Sequence, residues 1–126
     1  MKRFLAIALM LVSFGFFALP PAPAEARCII TGTYCIHEHR DYNGEACVWK
    51  GSVPNYLGQT SLNGFSCNDM ASSWTNNGTG PIRCLVSFMH ANYSVRMWEA
   101  YGDHMKSDWV GDEHNDKASS HQWVRC

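Results

Sequence analysis

The sequence predicts an all-β fold, a sandwich of two Greek-key motifs braced by disulfides, and three observations predict it. The stretch Asn68-Asp69-Met70-Ala71-Ser72-Ser73 returns 47 residues later as Asn115-Asp116-Lys117-Ala118-Ser119-Ser120, identical at five of six positions. Such a period marks two similar units within one domain. Short runs rich in β-branched and aromatic residues are interrupted every few positions by Gly, Asn, Ser or Thr, and no long stretch keeps a helical apolar stripe. All six cysteines lie in the last hundred or so residues, an even count that reads as three disulfides in a small exported domain.

At the start of the chain, Lys2 and Arg3 precede an apolar run over residues 4–19 that Pro20, Pro21 and Pro23 break. Ala22-Pro23-Ala24 supplies the small-residue pattern of a cleavage site, so residues 1–24 are expected to be a signal peptide, with an alternative end at 26. The run is short for a membrane span, and Glu25-Ala26-Arg27 is not the small apolar set that would make Cys28 a lipid anchor. The expected product is secreted, extracellular and free of the membrane after signal removal. It is one domain over residues 28–126, with one Greek key over about 28–79 and the second over about 80–126.

Within it, strands are expected at residues 29–34, 46–49, 82–88, 95–98 and 122–124. Asn43-Gly44, Asn63-Gly64 and Asn77-Gly78 mark turns that want positive φ. The repeat reaches beyond the six-residue stretch: His39 aligns with His90, Asp41 with Asn92, and Tyr42 with Tyr93, 51 residues apart. Trp74 and Trp123 close the two units. Each unit thus runs strand, tyrosine-bearing turn, strand, long connection, strand, Asn-Asp turn and last strand. That is a Greek key, and two of them packed face to face would bury their aromatics between sheets. Six cysteines allow many pairings; the repeat suggests Cys28 with Cys35, Cys47 with Cys67, and Cys84 with Cys126.

Charge and motif content exclude several function classes. From Glu25 onward there are eight Lys/Arg and eleven Asp/Glu, which leaves no basic stripe for nucleic acid. An acidic bias over residues 99–116 favours a solvated face or a cation. No Cys-x-x-Cys supports a zinc site. His37-x-His39 would put two imidazoles on one strand face, but no third ligand accompanies them. Neither His-Glu-x-x-His nor Gly-x-Ser-x-Gly occurs, so no enzyme is expected. The tryptophans are expected in the core and at its rim.

A corner of aromatic-x-x-x-x-aromatic-x-Gly type, followed by Asn/Asp-Asn/Asp-x-x-Ser/Thr-Ser and used twice, resembles the βγ-crystallin domain. Cys28 to Cys35, the Tyr42-x-Gly44 corner and the run from Gly64 to Trp74 are similar to small exported bacterial proteins of the metalloproteinase-inhibitor family of that fold. The resemblance covers the chain from Cys28 to Cys126. Two positions depart from it: His37 stands where an aromatic belongs, and Val95 where Gly belongs. Because a β-branched residue resists positive φ, the second corner is expected to adopt another backbone geometry.

The resemblance implies a secreted peptidase inhibitor directed at metallopeptidases, monomeric, whose partner is a secreted peptidase. Residues 50–60 and 101–111 are candidate inhibitory loops, though nothing in them identifies a target. It also implies calcium sites shared between the two motifs, with Asp69, Ser72, Asp116 and Ser119 as side-chain ligands, Asn68 and Asn115 as further ones, and the carbonyls of Glu38 and Met89 beside them. The same Asn, Asp and Ser side chains serve equally as turn latches. Met70 and Lys117 offer no anionic oxygen, so calcium affinity would be weak, on the order of 10⁻⁴ to 10⁻³ M. Alternative roles on the same scaffold are a calcium-binding extracellular structural or binding domain, and a secreted antimicrobial or wall-binding protein.

Overall fold

The computed structural model describes residues 28–126; the expected signal peptide and both its candidate ends lie outside the described residues. Among the described residues seven strands form two antiparallel sheets. They are β1 (Tyr34–His37), β2 (Ala46–Trp49), β3 (Ser73–Asn76), β4 (Cys84–His90), β5 (Ser94–Ala100), β6 (Met105–Ser107) and β7 (Ser120–Val124). One sheet has the order β2-β1-β3-β6 and the other β5-β4-β7.

The sheets do not coincide with the sequence units. β6, from the second half, completes the first sheet by pairing with β3, Thr75 opposite Lys106. Val53, from the first half, forms a bridge to His121 on the outer side of β7. Each half thus lends a short segment to the other's sheet, and neither half could bury its core face alone. The two segments fall inside residues 50–60 and 101–111, so part of what sequence reading offers as free loop is sheet edge.

β1 shows why the core sits where it does. Tyr34 and Ile36 point between the sheets and Cys35 and His37 point outward, yet all four are buried. The outer face is covered by the turn that the Cys28–Cys35 disulfide holds against it. This turn occupies the region expected to begin a strand at residue 29; the strand starts at Tyr34 instead, because the disulfide folds the preceding residues back across β1. Disulfides also join Cys47 to Cys67 and Cys84 to Cys126, the pairs the repeat suggests.

Between the sheets, Tyr34, Ile36, Tyr56, Trp74 and Leu85 form the centre, with Trp49, Trp98 and Trp123 half-buried against it. A ring cluster lies at one end. Trp49 stacks on Tyr56 at 4.6 Å between centroids, and His121 packs on Trp49 at 5.0 Å. His121 Nε2 lies 2.8 Å from the Gly51 carbonyl, so this nitrogen carries the proton, and Nδ1 accepts from Tyr56 Oη at 2.7 Å. Burial pushes the His121 pKa down to about 4, outweighing the hydrogen bond to the Gly51 carbonyl, which acts in the opposite direction.

Gly78 is set apart from the other Asn-Gly turns. Gly44 and Gly64 take positive φ, as their sequence predicts, whereas Gly78 does not. A Cβ there would lie 2.5 Å from the Trp123 ring and 2.7 Å from the Arg83 carbonyl. Close approach, not a left-handed turn, requires glycine at that position.

Candidate functional site

The two repeated stretches meet at one end of the sandwich in a pseudo-two-fold arrangement. Asp69 N donates to Ala118 O at 3.0 Å while Asp116 N donates to Ala71 O at 3.1 Å. Both aspartates take left-handed backbone, with φ 55° and 56°, which Asp tolerates better than most residues. The final serines hold the corners. Ser73 Oγ donates to His39 O at 2.7 Å and accepts from Tyr42 N, and Ser120 Oγ repeats this with His90 O at 2.7 Å and Tyr93 N. A serine at this position therefore closes each unit by tying its last strand to its corner.

The corners share one backbone geometry, which overturns one expectation. Asp41, Tyr42 and Gly44 have positive φ, and so do Asn92, Tyr93 and Val95, the last at 59°. Val95 does not escape to another conformation: the serine latch and the flanking strands fix the corner, and the valine accepts the strain. There is room for it, since Val95 is 52% exposed. At Gly44, by contrast, a Cβ would meet His39 Cδ2 at 2.8 Å and Glu38 Oε2 at 2.9 Å.

The departure at His37 is resolved differently. Its ring packs edge-on against Tyr42 at 5.6 Å, and in the second corner Phe88 packs at a tilt against Tyr93 at 5.7 Å. His37 therefore fills the aromatic position of its corner. It is 1% exposed, both ring nitrogens lack a hydrogen-bond partner, and burial pushes its pKa down to about 4. His39 lies past the end of β1 with its side chain mostly exposed, so the two imidazoles do not share a strand face. Among the described residues no group of three or more His, Cys, Asp or Glu is placed to hold a metal.

The oxygen ligands expected for a hard cation come together unequally. Ser72 Oγ lies 2.7 Å from Glu38 O and 2.6 Å from Asn115 Oδ1. A hydroxyl has one hydrogen, so one of these contacts sets oxygen against oxygen. Such a triplet suits a hard cation, whose positive charge replaces the shared proton. Across the pseudo-dyad, Ser119 Oγ turns to Asp69 Oδ1 at 3.2 Å. Met89 sits in β4 between Phe88, whose carbonyl accepts from Ser119 N, and His90, whose carbonyl accepts from Ser120 Oγ. Asn68 and Asn115 donate their amide N–H to the neighbouring Asp69 and Asp116 carboxylates. Asp69 and Asp116 line one shallow depression with Glu38, His39, Ser66 and Asn68.

The two residues after the acidic pairs have structural work. Met70 is buried in the core cluster, and Lys117 Nζ donates to the Glu113 carbonyl at 2.8 Å, which ties its charge down within its own loop. Sequence reasoning missed a feature next door: residues 59–67 form a small hairpin tied down by Cys47–Cys67, with Leu62 74% and Phe65 55% exposed. The uncharged run over residues 51–68 was the available signal.

Known proteins resemble this arrangement in two ways. The family model described as peptidase inhibitor family I36 matches residues 21–86. Among solved structures, one that traces the evolution of the eye lens beta-gamma-crystallin domain fold superposes with a TM-score of 0.60 at 17% identity, covering 86% of this chain and 95% of that one. A beta gamma crystallin from Ciona intestinalis gives 0.53 at 20% identity, covering 74% and 100%. A double mutant of a betagamma-crystallin domain from Clostridium beijerinckii gives 0.55 at 22%, covering 75% and 98%. The fold is thus the βγ-crystallin fold. No curated protein matches the chain.

Proposed function

The chain belongs to peptidase inhibitor family I36, and from that premise we propose that it is a secreted inhibitor of peptidases, and of metallopeptidases in particular. The inhibitory unit in this proposal is the domain over residues 28–126, acting as a monomer outside the cell after loss of the signal peptide. Family membership is the observation that carries the reading, and the build of the domain supports it. Three disulfides and two interlocked sheets hold surface loops in one conformation. An inhibitor gains affinity when its binding loop loses little entropy on docking. The metallopeptidase class rests on the likeness of Cys28 to Cys35, the Tyr42-x-Gly44 corner and the run from Gly64 to Trp74 to the metalloproteinase inhibitors of this fold. Inhibition constants against secreted zinc-dependent and serine endopeptidases test the reading. Sub-micromolar inhibition of a zinc enzyme is expected, and a protein inert against the whole panel sinks the proposal.

A second reading is favoured by the Ser72, Glu38 and Asn115 oxygens: calcium binds between the motifs and stabilises the corner. Ser72 Oγ, Asn115 Oδ1 and the Glu38 carbonyl would hold the ion on one side of the dyad, and Asp69 with Ser119 on the other. Neutral oxygens dominate the first group, which fits an affinity on the order of 10⁻⁴ to 10⁻³ M. Calorimetric titration of the parent and of the Ser72→Ala, Asp69→Ala double variant, which removes one ligand from each side, should show binding heat only in the parent. A parent that gives no heat at millimolar calcium leaves the stretches as latches alone.

A further inference from the structure

We infer that the hairpin over residues 59–67 is the surface that docks the peptidase, with Leu62 entering an apolar specificity pocket of an endopeptidase that selects Leu or Phe. The inference rests on the inhibitor reading above and adds to it the contact residue and the specificity class.

Four observations converge on this hairpin. It is rigid. Its base is closed by the Thr60–Ser66 bridge, by Cys67 N donating to Gln59 O at 2.9 Å, and by the Cys47–Cys67 disulfide. Its tip is closed by Ser61 N to Phe65 O at 2.8 Å, Gly64 N to Ser61 O at 3.0 Å and Phe65 N to Ser61 Oγ at 3.2 Å. Side chains anchor it to the sandwich: Trp49 Nε1 donates to Gln59 Oε1 and Asn63 Nδ2 to Glu45 Oε1.

The tip is also apolar and presented outward. Ser61 is buried beneath it at 5% exposure, while Leu62 projects at 74% and Phe65 at 55%. Ile30, 51% exposed, lines a groove with Leu62 and with the Ala46 and Val48 side chains, so the apolar surface continues beside the loop. A rigid loop whose apolar residues face water gains nothing for its own fold from them, and contiguous exposed apolar surface marks an interaction site.

Charge selects the partner's chemistry. No residue over 51–68 carries a charge, so the face offers nothing to a peptidase whose pocket selects Lys, Arg, Asp or Glu, and it enters an uncharged pocket without leaving an unpaired ion. The backbone at the tip is available too. Among the described residues no hydrogen bond engages the N–H or carbonyl of Leu62, and a peptidase cleft binds its ligand through main-chain hydrogen bonds with side chains filling pockets.

The test compares the full chain with Leu62→Asp and with Ile82→Asp, which alters an equally apolar residue, 52% exposed, outside the hairpin. The probes are one endopeptidase that cleaves beside Leu and Phe and one that cleaves beside Lys and Arg. The parent inhibits the first and spares the second. Leu62→Asp raises the inhibition constant by about 30-fold or more, as for an interface hot spot, whereas Ile82→Asp stays within about threefold, as expected outside an interface core. Circular dichroism and the thermal midpoint establish that the variants fold; if Leu62→Asp does not, Leu62→Ala and Phe65→Ala carry the same expectation. A parent that inhibits while Leu62→Asp is unchanged overturns the docking assignment and leaves the inhibitor reading standing. Tighter inhibition of the Lys- and Arg-selecting enzyme overturns the specificity class. A parent that inhibits neither probe overturns this inference, and one that is also inert against the whole panel above overturns the inhibitor reading with it.

Discussion

Replacing His37 by Phe tests how the first corner is built. The position is occupied by Phe88 in the second corner, and the two rings lie at matching distances from Tyr42 and Tyr93, 5.6 and 5.7 Å between centroids. His37 is buried with both ring nitrogens unpartnered, and its pKa falls from 6.5 to about 4 because the folded corner disfavours the imidazolium. A lowered folded value means that between about pH 6.5 and pH 4 the unfolded chain binds more protons than the folded one. His37 therefore leaves stability intact above about pH 6.5 and removes it progressively as the pH falls to about 4, where the loss levels off. A shift of this size corresponds to about 3 kcal/mol at pH 4. The substitution leaves every other titratable group in place, so the difference between the two proteins belongs to the imidazole. Thermal unfolding of parent and His37→Phe should be followed from pH 7 to pH 4. The parent's midpoint should fall further than the variant's by about 12 °C or more, from 4–8 °C per kcal/mol in a domain of this size. At pH 7 the variant should be at least as stable as the parent, because Phe removes two buried unpaired polar atoms. Equal pH dependence in the two proteins would refute the reasoning. The residual decline of the variant is expected from His121, which burial also pushes down to about 4.

Two further outcomes follow from the same geometry. Val95→Gly should stabilise the domain: left-handed backbone costs a β-branched residue about 1–3 kcal/mol, glycine's added unfolded-state freedom returns about 0.5–1 kcal/mol of that, and the net of about 1 kcal/mol appears as an upward shift in the midpoint of urea unfolding, with an unchanged or lowered midpoint counting against the strain. The double substitution Cys84→Ser, Cys126→Ser should lower stability by about 4 kcal/mol, because that bond closes a separation of 42 residues and so most constrains the unfolded chain; chemical denaturation checks it, and a cost below that of breaking Cys28–Cys35 would contradict the chain-entropy account.

The sequence by itself determined the class of the fold and the chemistry of its ends. A doubled Asn-Asp-x-Ala-Ser-Ser at fixed distance from a doubled tyrosine corner is local information. Ser73 reaches His39 and Ser120 reaches His90 because each latch closes within its own unit, so period and residue type suffice to find it. The strands that begin and end each unit were legible for the same reason, apart from the turn after Cys28, where a covalent tie overrode a good β pattern.

The tertiary structure decided what depends on contact between the units. The exchange of Val53 and β6 between sheets leaves no periodic mark, since each segment is only a few residues long and takes its partner from the other half. Val95 keeps positive φ because distant latches fix its corner, a cost that local propensity would refuse. His37 reads in sequence as a polar residue and a possible ligand, but packing against Tyr42 makes it an aromatic plug. The exposure of Leu62 and Phe65 was hidden as well, because an apolar residue between turn signals looks alike whether it faces the core or water. Only the hydrogen bonds of the hairpin and the buried Ser61 beneath it set that direction.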